Sequence, residues 1–301
     1  MNRREKIGVV AITFVRALFA FLLEVYAKFI EHRGALLAGG IAFFIFFSLF
    51  PFLLFTGVIL AYVLEDQAVR AQLMSYVFDN FPVFADLTRG TIEELITKRS
   101  SAGVIALIGF LWAGTNLFGG LAIGLNAVYE VAETRNLLLQ RLIAIVVYLM
   151  IAGLIILSFG ATAIASVFRD EVLRMLFPDQ VIAVTWTIFS LALGAISTIL
   201  LFLVVYKMVP NVKVGLSSIL PGTIVAGLGW ELAKYGFAVY LSTFARQGYG
   251  LIYGSFATIV LLMFWLYISA VLLLLGAEIN VAFRRRASGG VKSFEPRKGS
   301  K

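Results

Sequence analysis

Residues 253–283 read YGSFATIVLLMFWLYISAVLLLLGAEINVAF. They belong to an apolar stretch over roughly 251–283, well beyond the roughly 20 residues a helix needs to cross the hydrocarbon core of a bilayer. Working outward, four more stretches of comparable length follow the same reading, at roughly 35–64, 102–129, 141–168 and 181–206. A sixth, roughly 219–243, opens with Pro221, a favoured residue for a first helical turn, and contains GWELAKYGFAVYLS at 229–242. Composition agrees with these stretches. The 301 residues are 61% hydrophobic and 14% charged, against about 25% charged in an ordinary soluble domain, and the mean hydropathy is +0.96. Abundant Gly and Phe (27 each) with only 6 Pro suit long helices packed through small residues better than a barrel of short strands. The expected fold is all-α, a polytopic integral membrane bundle of six transmembrane helices.

The first 34 residues differ from the rest. MNRREKIGVVAITFVRALFAFLL imitates the charged and apolar regions of a signal peptide, but Arg16 interrupts the apolar part and no small-x-small cleavage site follows. In a helix, Thr13, Arg16, Ala20, Glu24, Ala27 and Glu31 share one side, and Val10, Phe14, Ala17, Leu18, Phe21, Leu22 and Val25 fill the other. That pattern predicts an amphipathic helix lying at the membrane interface, with a seventh span as the alternative. The sequence thus divides into an interfacial helix (1–34), a six-span domain (35–283) and a basic, disordered tail (284–301). Segment 65–100 is expected outside the membrane as short amphipathic helices, with Asp79, Asp86, Glu93 and Glu94 spaced like a solvated face.

Charge sets the orientation. In a six-span arrangement 17 of the 25 Lys and Arg fall on the side holding both termini, seven lie opposite, and Lys234 is inside a span. Basic residues favour the cytoplasmic side, so both termini are expected there. The net charge of +8 is mostly this bias, which argues for anionic lipid headgroups as partners, with Arg284, Arg285 and Arg286 in contact with them, and against nucleic acid. Self-association into a homo-oligomer is left open.

Glu231 lies ten residues past Pro221, about 15 Å along a helix and so near mid-membrane. Thr223, Gly227, Glu231, Lys234 and Ala238 share one face, which must turn into the bundle. A central charge costs about 2.5–3.5 kcal/mol even on a lenient insertion scale, and Glu231 and Lys234 at i, i+3 can pair to offset part of it. The pair reads either as part of a substrate, ion or proton path, or as an internal ion pair that fixes packing. Asn116 should sit near mid-span, with Asn126 and Asn280 nearer the cytoplasmic ends, all read first as interhelical hydrogen bonds. Ser48 and Pro51 mark a kink that could line a cavity. Glu278, about 9 Å before Arg284 along the helix, reads first as a partner for the Arg284–Arg286 cluster and second as a site residue. Gly120 and Gly124 form a GxxxG that, like Gly227, permits close helix packing.

Several chemistries have no support. The chain has no Cys and one His, His32, hence no disulfide and no Cys/His metal cluster. GxxxxGK[ST], HExxH, GxSxG and a two-metal carboxylate cluster are all missing, so no catalytic residues, metal or cofactor are expected and the chain does not read as an enzyme.

RGALLAGGIAFFIFFSLFPFLL, LWAGTNLFGGLAIGLNAVYEV, YKMVPNVKVGLSSILPGTIVAGLGWELAKYGFAVYLS and the stretch quoted first are similar to the YihY/BrkB (virulence factor BrkB) family of bacterial inner-membrane proteins. The resemblance runs from about residue 30 to 285 and is carried by Pro210-Asn211, Pro221-Gly222, Trp230-Glu231, Lys234 and Gly276-Ala277-Glu278. It implies a six-span, multi-pass protein of the bacterial inner membrane with both ends cytoplasmic, and it implies no mechanism. An old label of that family, ribonuclease BN, is regarded as a misassignment. The function expected is transporter-like: a small polar or lipid-linked molecule moved or held in a cavity lined by Glu231, Lys234, Asn116, Ser48, Pro51 and Glu278. A non-transporting scaffold of the envelope is the second reading, and a ribonuclease acting on tRNA the third.

Overall fold

The computed structural model describes residues 3–63, 99–131, 139, 141–147, 149–150, 153, 178–242 and 255–287. Among these residues the protein is helical, with no strand: α1 (Arg3–Glu31), α2 (Gly34–Val63), α3 (Arg99–Val128), α4 (Asp179–Met208), α5 (Leu216–Tyr240) and α6 (Ser255–Ala287). Among the described residues, five stretches are long and apolar enough to cross a membrane: Gly34–Phe52, Gly103–Val128, Val184–Met208, Leu216–Tyr240 and Ile259–Ala287. This is a polytopic helical membrane protein. Of the stretch at 141–168, residues 141–147 are helical and most of the remainder lies outside the described residues, as do segment 65–98 and the tail from 288.

Bundle organisation follows from where small and apolar side chains recur. α3 packs along α2, α6 lies against both α2 and α5, and α4 packs on α5. One apolar core joins them, with Ala38, Leu125, Tyr206, Ile219, Leu274 and Ala277 fully enclosed. α6 and α5 approach so closely that a methyl group at Gly222 would overlap the Gly276 carbonyl oxygen, and one at Gly276 would meet the Tyr206 hydroxyl. Gly120 faces the Phe44 ring, Gly124 meets Ile41 and Leu274, and Gly227 lies on Ile199.

α1 is not among the five long apolar stretches. It docks on α6 through Val25 and Phe21, packed against Ile279, Ala282 and Leu275, and Phe29 enters the main core. Leu18, Phe19, Leu22, Leu23, Tyr26 and Ile30 remain exposed on its flanks. Apolar residues therefore cover more than the one side read from the sequence.

One local expectation is corrected. α5 begins at Leu216, with Gly215 extended (φ −74°, ψ 148°) as its N-cap, so Pro221 lies inside the helix and does not open it. Ser218 N–H closes the first turn onto the Gly215 carbonyl at 3.1 Å. The proline removes one backbone donor a turn further in.

Candidate functional site

Among the described residues, three groups of polar side chains within the bundle hold the expected site residues. The first is the pair on α5. Glu231 and Lys234, one turn apart, form an ion pair at 2.7 Å, and their side chains are 12% and 37% exposed. α4 supplies the second contact: Thr198 donates its hydroxyl to Glu231 Oε1 at 2.9 Å. Gly194, one turn before Thr198, lies beside both charged groups, at a distance where an added methyl group would make ordinary contact with Glu231 Oε2 (3.8 Å) and Lys234 Nζ (4.0 Å). The ammonium also lies 4.8 Å above the Trp230 ring. That indole is itself fixed by α6, its Nε1 donating to Ser269 Oγ at 2.9 Å and its ring meeting Trp265. Two opposite charges in an apolar span are thus held by three helices, and low local dielectric strengthens each of these contacts.

A second group lines a cavity of about 250 Å³ between α2 and α3, bounded by Phe43, Phe44, Phe47, Ser48, Trp112, Ala113 and Asn116. Ser48 donates to the Ile45 carbonyl at 2.8 Å, and Asn116 Nδ2 donates to the Trp112 carbonyl at 2.9 Å. Asn116 therefore bonds its own helix, not a neighbour as expected, because its side chain folds back along the turn before it. Asn126 and Asn280 do bridge elements. Asn126 Oδ1 accepts the Asn211 N–H at 2.8 Å and fixes the loop between α4 and α5. Asn280 Oδ1 accepts the Gly222 N–H at 2.7 Å where α5 and α6 cross. Pro51 lies opposite Gly109 of α3, beyond the residues that line the cavity.

The third group sits where α1 meets the Arg284–Arg286 end of α6. Glu278 is 2% exposed, and its Oε1 lies 2.6 Å from His32 Nδ1. His32 Nε2 faces Glu130 Oε1 at 3.5 Å, and Glu130, 48% exposed, is also paired with Arg285 at 2.7 Å and with Lys28 at 3.7 Å. Arg286 reaches Glu24 of α1 at 2.7 Å. The expected pairing of Glu278 with the arginine cluster is thus replaced. The turn after α1 drops His32 onto Glu278, and Arg285 and Arg286 instead tie α3 and α1 to α6.

Two strained backbones shape this third group. Glu130 (φ 54°) and Arg33 (φ 55°) occupy the left-handed region usual for glycine at helix ends. Around Glu130 the bonds Glu130 N–H to Ala127 O (3.2 Å) and Val131 N–H to Asn126 O (3.0 Å) close the end of α3. Burial raises the Glu130 carboxyl's pKa, but Arg285, Lys28 and His32 outweigh that and leave it below the ordinary carboxylate value. Lys28 is raised, chiefly by its hydrogen bond to Glu31.

The six residues expected to line one cavity are therefore divided: Ser48 and Asn116 at the α2–α3 cavity, Pro51 beyond it against Gly109, Glu231 and Lys234 among α4, α5 and α6, and Glu278 beneath α1. Sequence reasoning missed Thr198, Gly194, His32 and Glu130. A buried Glu278 needs a partner, and the chain's single imidazole just before α2 was the available signal.

Comparison with known proteins covers nearly the whole chain. The family model described as virulence factor BrkB matches residues 25–300. The putative ribonuclease-like protein YfkH of Bacillus subtilis is 30% identical over 278 residues, 89% of this chain and 96% of that protein. A UPF0761 membrane protein of Cronobacter sakazakii is 30% identical over 267 residues, 88% of each chain. One of Alteromonas mediterranea is 25% identical over 291 residues, covering 95% and 96%. No solved structure matches.

Proposed function

The chain belongs to the virulence factor BrkB family of membrane proteins, and from that premise we propose that it is transporter-like, binding or moving a small polar or lipid-linked molecule within the bilayer. The observation that carries this reading is the Glu231–Lys234 pair, braced by Thr198 and Trp230 inside apolar helices. Ionisable groups placed there are costly, and their usual justification is a ligand or ion that uses them. Lys234, partly exposed, offers an anionic group a partner, and Glu231 offers one to a cation.

On this reading the protein resides in the bacterial inner membrane with both termini cytoplasmic, as the excess of Lys and Arg on that side argues. Residues 1–34 lie at the interface, 35–283 span, and 284–301 form a basic tail that meets anionic headgroups with Arg284–Arg286. Enzymatic activity is not part of the reading. The name ribonuclease-like belongs to the Bacillus relative.

Native mass spectrometry of the protein extracted in its own lipids, wild type beside Glu231→Gln, tests the reading. A bound species lost in the variant supports transport and identifies the substrate class. Identical spectra with only bulk lipid favour the second reading, an envelope scaffold. The exposed apolar flanks of α1 favour that alternative, since they suit insertion among lipids.

A further inference from the structure

Glu278 is enclosed on an apolar span, yet its partner is unusual. About two turns further along, α6 carries three permanently charged arginines, the strongest partners its own helix could bring toward a buried carboxylate. Arg285 and Arg286 go instead to the more exposed Glu130 and Glu24. The buried carboxylate receives the chain's one imidazole, the side chain whose charge changes most readily near neutral pH. Exposure rises in steps along the contacts, from Glu278 at 2% through His32 at 12% to Glu130 at 48%.

The geometry points to a hydrogen-ion binding site in which His32 and Glu278 hold one proton in common, loaded from water past Glu130. In the loading step His32 Nε2 accepts a proton from the aqueous side. The imidazolium then shares its Nδ1 proton with Glu278 Oε1, and the carboxylate's charge is neutralised. One proton enters and nothing else is consumed. At 3.5 Å the Glu130 contact is electrostatic, and it places an exposed carboxylate beside the ring nitrogen that faces away from Glu278. The charged and titratable groups around the pair are Lys28 and Glu31 of α1, Tyr129 and Glu130 at the end of α3, and Arg284 and Arg285 of α6. α2 contains no charged residue. Lys28 and Arg285 keep Glu130 ionised, so it attracts a proton to the entrance without retaining it.

This site is independent of the transport reading, because proton binding is measured whether or not a solute moves. Full-length protein, purified without a histidine tag and placed in lipid nanodiscs, gives one imidazole signal after 15N-histidine labelling. The nitrogen shifts and the infrared carboxyl bands of 13C-glutamate protein are followed against pH. Expected are one carboxyl change and the imidazole change at a common midpoint, loss of that carboxyl change in Glu278→Gln, and slower proton exchange at the ring in Glu130→Gln. Separate midpoints in the wild type, or an imidazole titration unaltered in Glu278→Gln, overturn the proposal. Should Glu278→Gln fail to fold, His32→Gln decides it: a carboxyl transition left at the wild-type midpoint overturns the shared site, and a displaced one supports it.

Discussion

His32 Nδ1 and Glu278 Oε1 lie 2.6 Å apart although 246 positions separate the two residues. Removing the imidazole leaves an enclosed carboxylate without its hydrogen-bond partner. His32→Ala should therefore lower stability by about 3–5 kcal/mol, the usual cost of orphaning a buried charge. His32→Gln, which retains a donor, should recover part of it. Unfolding in mixed micelles at neutral pH checks this, and equal stability of His32→Ala and wild type would sink it.

Glu130 gives a pH dependence with a definite sign. Its folded pKa lies below the ordinary value of 4.5, so its contribution is present above the unfolded value and disappears as pH falls through the folded one. Hydrogen exchange at residues 25–33 should accelerate as pH falls below the ordinary carboxylate value and through the lower folded one. Glu130→Gln should show that faster exchange already at neutral pH and lose the acid step. Half-exposed pairs are screened by salt, so added salt should mimic the variant in part.

Thr198 acts on the intramembrane pair through one hydrogen bond of 2.9 Å to Glu231. Thr198→Val preserves shape and should cost about 1.5–3 kcal/mol, the range for bonds to charged groups. In a Glu231→Gln background that cost should shrink by about 1 kcal/mol or more, as for residues in one network. Additive effects in the double variant would show that the hydroxyl stabilises something other than Glu231.

The α5–α6 crossing depends on two missing side chains. Gly222→Ala or Gly276→Ala forces the helices apart and should cost about 1–3 kcal/mol, as overpacking does. Gly236→Ala, with nothing within 4 Å of the added methyl, should be neutral or stabilising by up to about 1 kcal/mol through helix propensity. Thermal melts of the three variants in one detergent distinguish the cases.

Much of this was legible in the sequence, for stated reasons. Apolar length alone located α2 to α6, since crossing a bilayer demands it, and the spacing of Glu231 and Lys234 predicted their pairing. Contacts across the chain were read unevenly: Asn126 and Asn280 do bridge elements as expected, whereas Asn116 bonds its own helix. Glu278 looked tied to arginines six to eight residues away because sequence shows only neighbours along a helix. Its actual partner follows from how α1 docks, which the exposed and buried residues of α1 do not encode separately. The cavity residues divided for the same reason: depth along each helix is readable, but which faces meet is not. Pro221 was misplaced because Gly215 starts the helix earlier than hydropathy suggests.

The contacts between α1 and α6 also set an order of events during synthesis. Ribosomes add about 5–20 residues per second, so a gap of 246 positions means that His32 waits roughly 10–50 s before Glu278 exists. Through that interval Val25 has no α6 to cover it, and α1 must be held by lipid or by the insertion machinery. A truncation that stops before α6 should therefore leave a nascent protein with its first helix undocked, the form that membrane quality control would recognise.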